Sequence, residues 1–344
     1  MSDSNQATAP TAAELDARFG EFRERFVALR DEIQRAVVGY EELLQDVLVA
    51  VVSHGHVLLE GVPGLGKTFL VRTLSRALDL GFGRVQCTPD LMPADILGTH
   101  IVSDDGSGHR SFRFEKGPVF TNLLLVDEIN RATPKTQAAL LEVMQEERVT
   151  MGGETHSLPR PFFVMATQNP LEMEGTYPLP EAQLDRFFFK LRVPFPTGDE
   201  LVEISRRTTG AVEPNVENRM SGEELIAFQD LLKHVPIAEP IQRYAADLVL
   251  ATHPESDKAL ADVRRFISYG ASPRGMQTLI RAARVHCALD DRTAVSVHDI
   301  QRVARPALRH RVLLNFEGEA EAKDVDALLG EILDQVPTPA GEAA

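Results

Sequence analysis

Apolar residues recur with a helical period in the first part of the chain. From Ala12 they fall every three or four positions on one stripe, formed by Leu15, Phe19, Phe22, Phe26, Leu29, Ile33 and Val37. The pattern breaks at Val38–Tyr40, and a second helix is predicted from Glu41 to about Ser53. We therefore expect the chain to open with two helices, the first of which packs its apolar stripe on its own domain.

Short, almost continuous apolar runs follow, typical of strands covered on both faces. They are His56–Glu60, Gly83–Cys87, Asn122–Glu128 and Phe162–Pro170. Helical periodicity lies between them, over Phe69–Leu78 and Pro134–Glu147. Strands that alternate with helices predict an α/β fold around a parallel sheet.

Two further segments carry the alternating pattern of β-hairpins. The first places His100–Ser103 and Ser111–Phe114 on either side of a glycine-containing tip, which we expect to be flexible. The second spans Arg148–Leu158 and turns at Gly152-Gly153. Residues 90–98 between strand and hairpin are expected to form an irregular connection broken by Pro93.

The pattern changes at Pro194–Gly198, where we predict a domain boundary and a hinge. Only helices are predicted beyond it. Capping-box starts occur at Ser221 and Ser296, and Ser272-Pro273 begins a helix that continues to Leu289. The domain plan is therefore a disordered segment (1–11), an α/β domain with an N-terminal helix (12–195), a helical domain (196–335) and a flexible tail (336–344).

Composition narrows the class of protein. A length of 344 residues suggests two domains, and a formal charge of −15 disfavours a chain whose main task is binding nucleic acid. Cys87 and Cys287 are the two cysteines, too far apart in sequence for a metal-spaced pair, so buried free thiols in a reducing cytosol are expected. The apolar stretch Val47–Val62 is interrupted by two histidines, so no membrane span and no secretory signal are predicted.

One loop has the residue types of a phosphate-binding loop. The pattern G-x-x-x-x-G-K-[ST] is matched by Gly61, Val62, Pro63, Gly64, Leu65, Gly66, Lys67 and Thr68. Glycines let backbone N–H groups turn around an anion at the start of a helix. Lys67 would reach the β- and γ-phosphates of a nucleotide, and the Thr68 hydroxyl would bind Mg²⁺. The competing interpretation, a glycine-rich turn with an unrelated lysine, fits the strand–loop–helix context less well.

Two neighbouring segments are candidates for further nucleotide contacts. Phe69 follows the phosphate loop directly, and the Val38–Tyr40 loop precedes the strand that leads into it. Val38 and Gly39 are therefore candidates for lining an adenine pocket.

Polar side chains also follow two other predicted strands. Asp127 and Glu128 end one strand and Asn169 ends another, at the sheet edge where ligands bind in open α/β sheets. Asp127 could hold Mg²⁺ through water, Glu128 could activate the attacking water, and Asn169 could position it. An acidic turn and an ordinary Asn-Pro turn are the alternatives.

Two arginines are harder to assign from the pattern. Arg186 precedes three phenylalanines, where a surface arginine with a buried stem is the usual case. Arg274 lies in the first turn of a predicted helix. A cation there opposes the helix dipole, which favours a nearby anion.

Taken together, these motifs resemble the AAA+ ATPases, and within them the MoxR family. The segments GVPGLGKT, LLLVDEINRA, FVMATQNP, GTYPLPEAQLDRF and SPRG occur in the order of that family, from about Val38 to Phe195 and in the second domain. The resemblance implies an α/β P-loop NTPase core with a parallel sheet, followed by an all-α lid domain. The two hairpins are similar to the helix-2 and pre-sensor-1 inserts of this branch.

The resemblance also implies roles for individual residues. Lys67 and Thr68 would bind ATP or ADP with Mg²⁺, Asp127 would be the Walker B metal residue, and Glu128 the catalytic glutamate. Asn169 matches sensor 1.

The two arginines gain roles in the same way. Arg274 matches sensor 2, which reaches back from the lid. Arg186 matches the arginine finger, which acts on ATP held by a neighbouring subunit and so implies a homo-oligomeric ring, typically a hexamer.

Family members typically act as cytoplasmic chaperones with a von Willebrand factor A-domain partner, in remodelling, maturing or inserting metal into a client protein. Leu91-Met92 lacks the aromatic that threading ATPases use, so threading does not follow. A nucleotide-dependent assembly switch with little turnover is the alternative function. A DNA-stimulated motor is disfavoured by the excess of acidic residues.

Overall fold

The fold is taken from a computed structural model, which describes residues 12–104, 110–171, 175–209 and 215–339. The expected disorder of residues 1–11, most of the first hairpin's tip and the end of the tail lie outside these ranges. The strands are β1 (Val57–Glu60), β2 (Phe82–Gln86), β3 (Gly98–Asp104), β4 (Arg110–Lys116), β5 (Leu123–Asp127), β6 (Arg148–Met151), β7 (Glu154–Ser157), β8 (Phe163–Gln168), β9 (Phe189–Arg192), β10 (Ile267–Tyr269) and β11 (Leu313–Leu314).

The helices are α1 (Ala12–Ala36), α2 (Glu41–Val52), α3 (Lys67–Ala77), α4 (Pro93–Leu97), α5 (Pro134–Glu146), α6 (Glu181–Leu184), α7 (Gly198–Thr208), α8 (Gly222–Leu232), α9 (Glu239–Ala251), α10 (Ala261–Phe266), α11 (Pro273–Leu289), α12 (Val297–Leu308), α13 (Phe316–Ala320) and α14 (Val325–Gln335). A single 3-10 turn, Ile129–Arg131, follows β5. The helix α4 replaces the irregular connection expected after β2, with Pro93 in its first turn, where a missing N–H costs nothing.

Five parallel strands form the central sheet in the order β2-β5-β8-β1-β9. The inner strand β5 is buried along its whole length, which explains its uninterrupted apolar sequence. The predicted α/β core with a parallel sheet is thereby confirmed. Because all five strands run the same way, the residues that follow β1, β5 and β8 meet at one edge of the sheet.

The predicted hairpins are the antiparallel pairs β3–β4 and β6–β7, and they dock on each other. Phe114 stacks on His156 with ring centroids 4.3 Å apart. A Cβ at Gly152 would lie 2.6 Å from the His100 ring, so the turn of the second hairpin needs glycine there. The base of the first hairpin therefore contacts the second hairpin both along its strands and at its turn.

The lid domain is helical, and its capping boxes at Ser221 and Ser296 form as the sequence predicts. It also contains a short antiparallel ribbon, β10–β11, so the expectation that strands end at the domain boundary is wrong in this detail. Val336, assigned to the flexible tail, is buried in the core.

The apolar stripe of α1 joins the two domains. Phe22 and Phe26 are fully buried and belong to one continuous core that includes Leu59 of the sheet and Leu279 and Ile300 of the lid. Charged groups support this junction as well.

Glu32, nearly buried on α1, accepts a hydrogen bond from Arg219 at 2.9 Å. It also accepts one from the backbone N–H of Glu217 at 2.9 Å. Both partners lie beyond the predicted boundary, so the core domain and the lid pack as one body around α1.

Both cysteines are buried and free, as predicted. Burial raises the pKa of the Cys87 thiol to about 12 and that of Cys287 to about 11. Thiols with such pKa values stay protonated at neutral pH, so they behave as small apolar side chains rather than nucleophiles.

Candidate functional site

The predicted phosphate loop connects β1 to α3. Gly64 and Gly66 have φ angles of 84° and 74°, in the left-handed region where a side chain would be strained. The Gly61 N–H donates to the Gln168 carbonyl at 3.1 Å, which ties the start of the loop to β8. The loop therefore turns tightly over the carboxyl edge of the sheet, and its N–H groups precede the N-terminus of α3.

Lys67 folds back over this loop. Its Nζ donates to the Gly61 carbonyl at 2.6 Å and to the Val62 carbonyl at 3.3 Å. Burial lowers the pKa of the Lys67 ammonium, while the charges of Asp127 and Glu128 act in the opposite direction. The Lys67 ammonium is therefore held at the loop by these carbonyls, and its N–H groups could donate to an anion bound there instead.

Asp127 lies at the carboxyl end of β5 and its side chain is only 10% exposed. Arg84 of β2 donates its Nε–H to Asp127 Oδ2 at 2.7 Å, and the Thr167 hydroxyl donates to Oδ1 at 3.3 Å. Neither Arg84 nor Thr167 belongs to a motif that could be recognised in the sequence. Both lie on strands adjacent to β5, so only the strand order could have revealed them.

Glu128 adopts a left-handed backbone conformation, with a φ of 56°. Its N–H donates to Thr167 Oγ1 at 2.9 Å, and its carboxylate accepts from Gln86 at 3.0 Å and Arg131 at 3.3 Å. A non-glycine residue held at positive φ is strained, and such strain is common at functional sites. Gln86 and Arg131 hold the Glu128 carboxylate, which lies at the same edge of the sheet as the phosphate loop.

Asn169 is buried directly after β8 ends. Gln168, the residue before it, pairs with Glu60, the last residue of β1, so Asn169 lies beside the start of the phosphate loop. Its Oδ1 accepts the Leu171 N–H at 3.1 Å, so the side chain also shapes the turn that follows the strand. The two interpretations weighed for this residue are therefore compatible.

The Val38–Tyr40 loop contacts the phosphate loop. Tyr40 donates its hydroxyl to the Leu65 carbonyl at 3.2 Å. Gly39 approaches α7 so closely that a Cβ would lie 2.3 Å from a carboxylate oxygen of Glu200. This places Val38 and Gly39 beside the site, while their contact with adenine remains a prediction. Phe69 is 46% exposed at the start of α3, and its role also stays a prediction.

The residues present fit a magnesium ion. Thr68 in the first turn of α3 and Asp127 at the end of β5 supply a hydroxyl and a carboxylate, the oxygen donors that Mg²⁺ prefers. No group of three or more His, Cys, Asp or Glu side chains suited to a metal occurs in the described ranges. None is needed, since Mg²⁺ at nucleotide sites takes one or two protein ligands and completes its shell with phosphate and water.

The two arginines lie at the opposite edge of the sheet. Arg186 precedes β9, and two residues later the Phe188 N–H donates to the His56 carbonyl, just before β1 begins. A four-residue strand spans roughly 13 Å, so this edge is about that far from the phosphate loop. Arg186 itself is half-buried and donates to the Leu141 carbonyl of α5 at 2.7 Å.

Arg274 joins Arg186 at that edge. It pairs with Asp185 at 3.4 Å, and the Ser272 hydroxyl donates to the same carboxylate at 2.7 Å. The anion expected near the first turn of α11 is therefore Asp185. Because α11 begins at the edge away from the phosphate loop, Arg274 does not lie over that loop in its own chain, and its role as sensor 2 stays a prediction.

Comparisons with known proteins agree with this architecture. Residues 56–189 match the model of the ATPase family associated with various cellular activities (AAA), and residues 260–332 match an AAA lid domain. No helix in the described part of the chain is long and apolar enough to cross a membrane.

Relatives extend the match over nearly the whole chain. Chaperone MoxR1 of Mycobacterium tuberculosis is 42% identical over 90% of this chain and 81% of its own length. Protein MoxR of Paracoccus denitrificans is 32% identical over 95% and 100%, respectively. The crystal structure of a proposed ATPase from Cytophaga hutchinsonii superposes with a TM-score of 0.88 at 39% identity, over 94% of this chain and 97% of that one. The chain therefore belongs to the MoxR family of AAA ATPases.

Proposed function

We propose that this protein hydrolyses Mg-ATP at sites shared between adjacent copies in a ring, and uses the cycle to remodel a client protein. The observation that carries the proposal is the separation of the site into two halves. The phosphate loop and the carboxylates lie at one edge of the sheet, and Arg186 and Arg274 lie at the other.

At the carboxyl edge the parts have distinct tasks. The loop N–H groups and Lys67 bind and orient the phosphates, which is most of what phosphoryl transfer requires of a protein. Glu128 accepts a proton from the attacking water, and Asn169 holds that water in line. A bound Mg²⁺, held by Thr68 and Asp127, would neutralise charge on the phosphates.

The second half of the site has to come from another copy. An arginine side chain reaches about 7 Å at full extension, which is less than the roughly 13 Å that separates the two edges. If copies pack carboxyl edge against arginine edge, each Arg186 and Arg274 meets the triphosphate of the neighbour. Such a heterologous contact closes into a ring, and a hexamer is the expected number from the family resemblance. An arginine supplied in trans is worth about three to five powers of ten in rate in related NTPases.

The chaperone part of the proposal rests on the relatives. One of them is named Chaperone MoxR1, and the docked hairpins of this chain provide a surface outside the nucleotide site. A von Willebrand factor A-domain partner and a role in maturation or metal insertion follow from the family resemblance alone.

Two substitutions test the hydrolysis step. We expect Lys67→Ala to lose nucleotide binding, and Glu128→Gln to bind ATP normally while phosphate release falls by at least about 100-fold. Fluorescent-nucleotide titration and a steady-state phosphate assay measure the two effects. Hydrolysis by Glu128→Gln at the wild-type rate would show that Glu128 is not the base.

Mixed assemblies test the shared site. Arg186→Ala and Lys67→Ala should each be inactive alone. Mixed together, they should regain turnover, because some interfaces then pair an intact phosphate loop with an intact arginine. If turnover is not restored, although sedimentation shows that both variants assemble, a site shared between copies is excluded.

One observation favours a switch with little turnover as the second candidate. Asp127 is paired with Arg84, and Arg186 donates to a carbonyl of α5, so both side chains have partners within the chain that hydrolysis would have to displace. If ATP binding drives assembly but phosphate release stays at background at every protein concentration, the switch is the correct function.

A further inference from the structure

The backbone around Arg186 is held by a guanidinium from the lid. Arg311 follows α12, and its side chain is only 2% exposed. Its Nε–H donates to Asp185 Oδ1 at 2.8 Å, and its Nη2 donates to the Asp185 carbonyl at 3.0 Å and the Phe187 carbonyl at 2.7 Å. Its Nη1 donates to the Phe188 carbonyl at 3.3 Å. One side chain thus binds carbonyls on both sides of Arg186.

Asp185 links this contact to the second arginine. Its carboxylate accepts from Arg311, from Ser272 at the start of α11, and from Arg274. Burial opposes ionisation of this carboxylate, yet the hydrogen bonds from Ser272 and Arg311 keep its pKa below the usual range. One partly buried anion therefore connects the backbone next to Arg186, the first turn of α11 and Arg274.

Stability alone does not account for this arrangement. Burying a guanidinium is costly, and a buried ion pair is often no more stabilising than apolar side chains of the same volume. What the planar guanidinium of Arg311 provides is geometry, because its donors fix the directions of the Asp185, Phe187 and Phe188 carbonyls, on both sides of Arg186. The residue so fixed is the one proposed to act on the neighbour's nucleotide.

We infer that Arg311 is a positioning residue, which fixes the segment bearing Arg186 to the lid and, through Asp185, keeps Arg274 beside it. The inference rests on the proposed shared site. The two arginines then face the neighbouring copy as a rigid pair, and the pair cannot shift without the lid. When Arg274 leaves Asp185 for a triphosphate, Arg311 still compensates the carboxylate.

Arg311→Lys is the test variant, since lysine keeps the charge but cannot bind several carbonyls in a fixed plane. Arg309→Lys is the matched control. Arg309 lies two residues earlier, is similarly buried with 13% exposure, and pairs with Asp326 at 3.0 Å rather than with the Arg186 segment. Turnover of Arg311→Lys should fall by about 10- to 100-fold, the cost of a small misplacement of a catalytic group. ADP affinity should stay within about twofold for both variants, and Arg309→Lys should retain turnover.

The decisive measurement is rescue in mixed assemblies. Arg311→Lys supplies an intact phosphate loop and Lys67→Ala supplies an intact arginine edge, so mixing them should restore turnover. A variant that merely lost stability would not respond in this way. If the lysine substitution lowers the yield of folded protein, Arg311→Met is the second variant, because its linear apolar side chain suits the buried position. We expect Lys67→Ala to rescue its turnover in the same way.

The outcomes separate the inference from the proposed function. If Arg186→Ala is not rescued by Lys67→Ala, the shared site itself fails. If Arg186→Ala is rescued but neither Arg311 variant is, or if both Arg311 variants turn over at the wild-type rate, the positioning role is overturned while the shared site stands.

Discussion

The ion pair between Arg84 and Asp127 gives a prediction that concerns the metal residue alone. Asp127 Oδ2 accepts the Arg84 Nε–H at 2.7 Å. A carboxylate that holds a hydrated Mg²⁺ has to share or release this partner. Arg84→Gln should therefore destabilise the free protein and strengthen its response to magnesium and nucleotide.

The magnitude follows from the exposure of the two partners. A hydrogen bond to a charged group contributes about 1.5–3 kcal/mol, but Arg84 is 49% exposed, which lowers the expected loss to about 1–2 kcal/mol. Unfolding entropy near about 2.1 cal/mol/K per residue gives about 0.7 kcal/mol/K for a chain of 344 residues. The free protein should therefore melt about 2 °C lower.

Calorimetry in EDTA and in saturating Mg-ADP measures both effects. The stabilisation by Mg-ADP should be larger for Arg84→Gln than for the wild type, by up to the same 1–2 kcal/mol or so, because Asp127 no longer gives up a partner. Arg113→Gln is the control, since the pair between Arg113 and Glu115 is exposed on a hairpin and should matter little. Equal Mg-ADP increments in wild type and Arg84→Gln would refute the competition between Arg84 and the metal.

Three further predictions concern other parts of the chain. Burial raises the pKa of Asp46 to about 7, so between about pH 4 and 7 the folded chain holds a proton that the unfolded chain has released, and the stability contributed by this group falls across that range. From an ordinary pKa near 4 this rise corresponds to about 4 kcal/mol, so Asp46→Asn should gain up to that amount relative to wild type in urea unfolding at pH 8 and nothing at pH 4. An equal gain at both pH values would contradict the raised pKa. Gly64→Ala places a side chain at a φ of 84° with no atom within 4 Å of its Cβ, so the substitution costs backbone strain of about 1–2 kcal/mol rather than a steric clash. We expect weaker binding of fluorescent ADP, and an unchanged affinity would contradict this role of the loop conformation. Glu32→Gln removes a buried carboxylate charge that accepts a hydrogen bond from Arg219. In chemical unfolding, the free energy of unfolding should fall by about 1–3 kcal/mol. An unchanged unfolding midpoint would show that this contact does not stabilise the packing of the lid on α1.

The sequence predicted the local features that depend on short-range pattern. The helices α1, α2 and α11, the four strands of the sheet read from apolar runs, both hairpins and the capping boxes formed where periodicity and turn residues placed them. The loop from Gly61 to Thr68 and the carboxylates after β5 could be recognised because their spacing is fixed by a continuous piece of chain. Residues that meet only through the tertiary fold were not predicted.

Arg84 and Arg311 illustrate that limit. Arg84 reaches Asp127 because β2 pairs with β5, and no local pattern in the sequence gives the strand order. Arg311 reaches the Arg186 segment from a helix more than a hundred residues away. The position of Arg274 relative to the sheet could not be predicted for the same reason, since the helical spacing of α11 does not tell on which side of the sheet the helix begins.

The stripe of α1 has a consequence for how the molecule moves. Phe22 and Phe26 lie in one apolar core that includes side chains of both domains, so opening the chain at Pro194–Gly198 would expose buried apolar surface to water. We therefore expect each protomer to move as one rigid body and to unfold in a single cooperative melting transition. Conformational change driven by ATP hydrolysis would then appear as a tilt of one protomer against its neighbour.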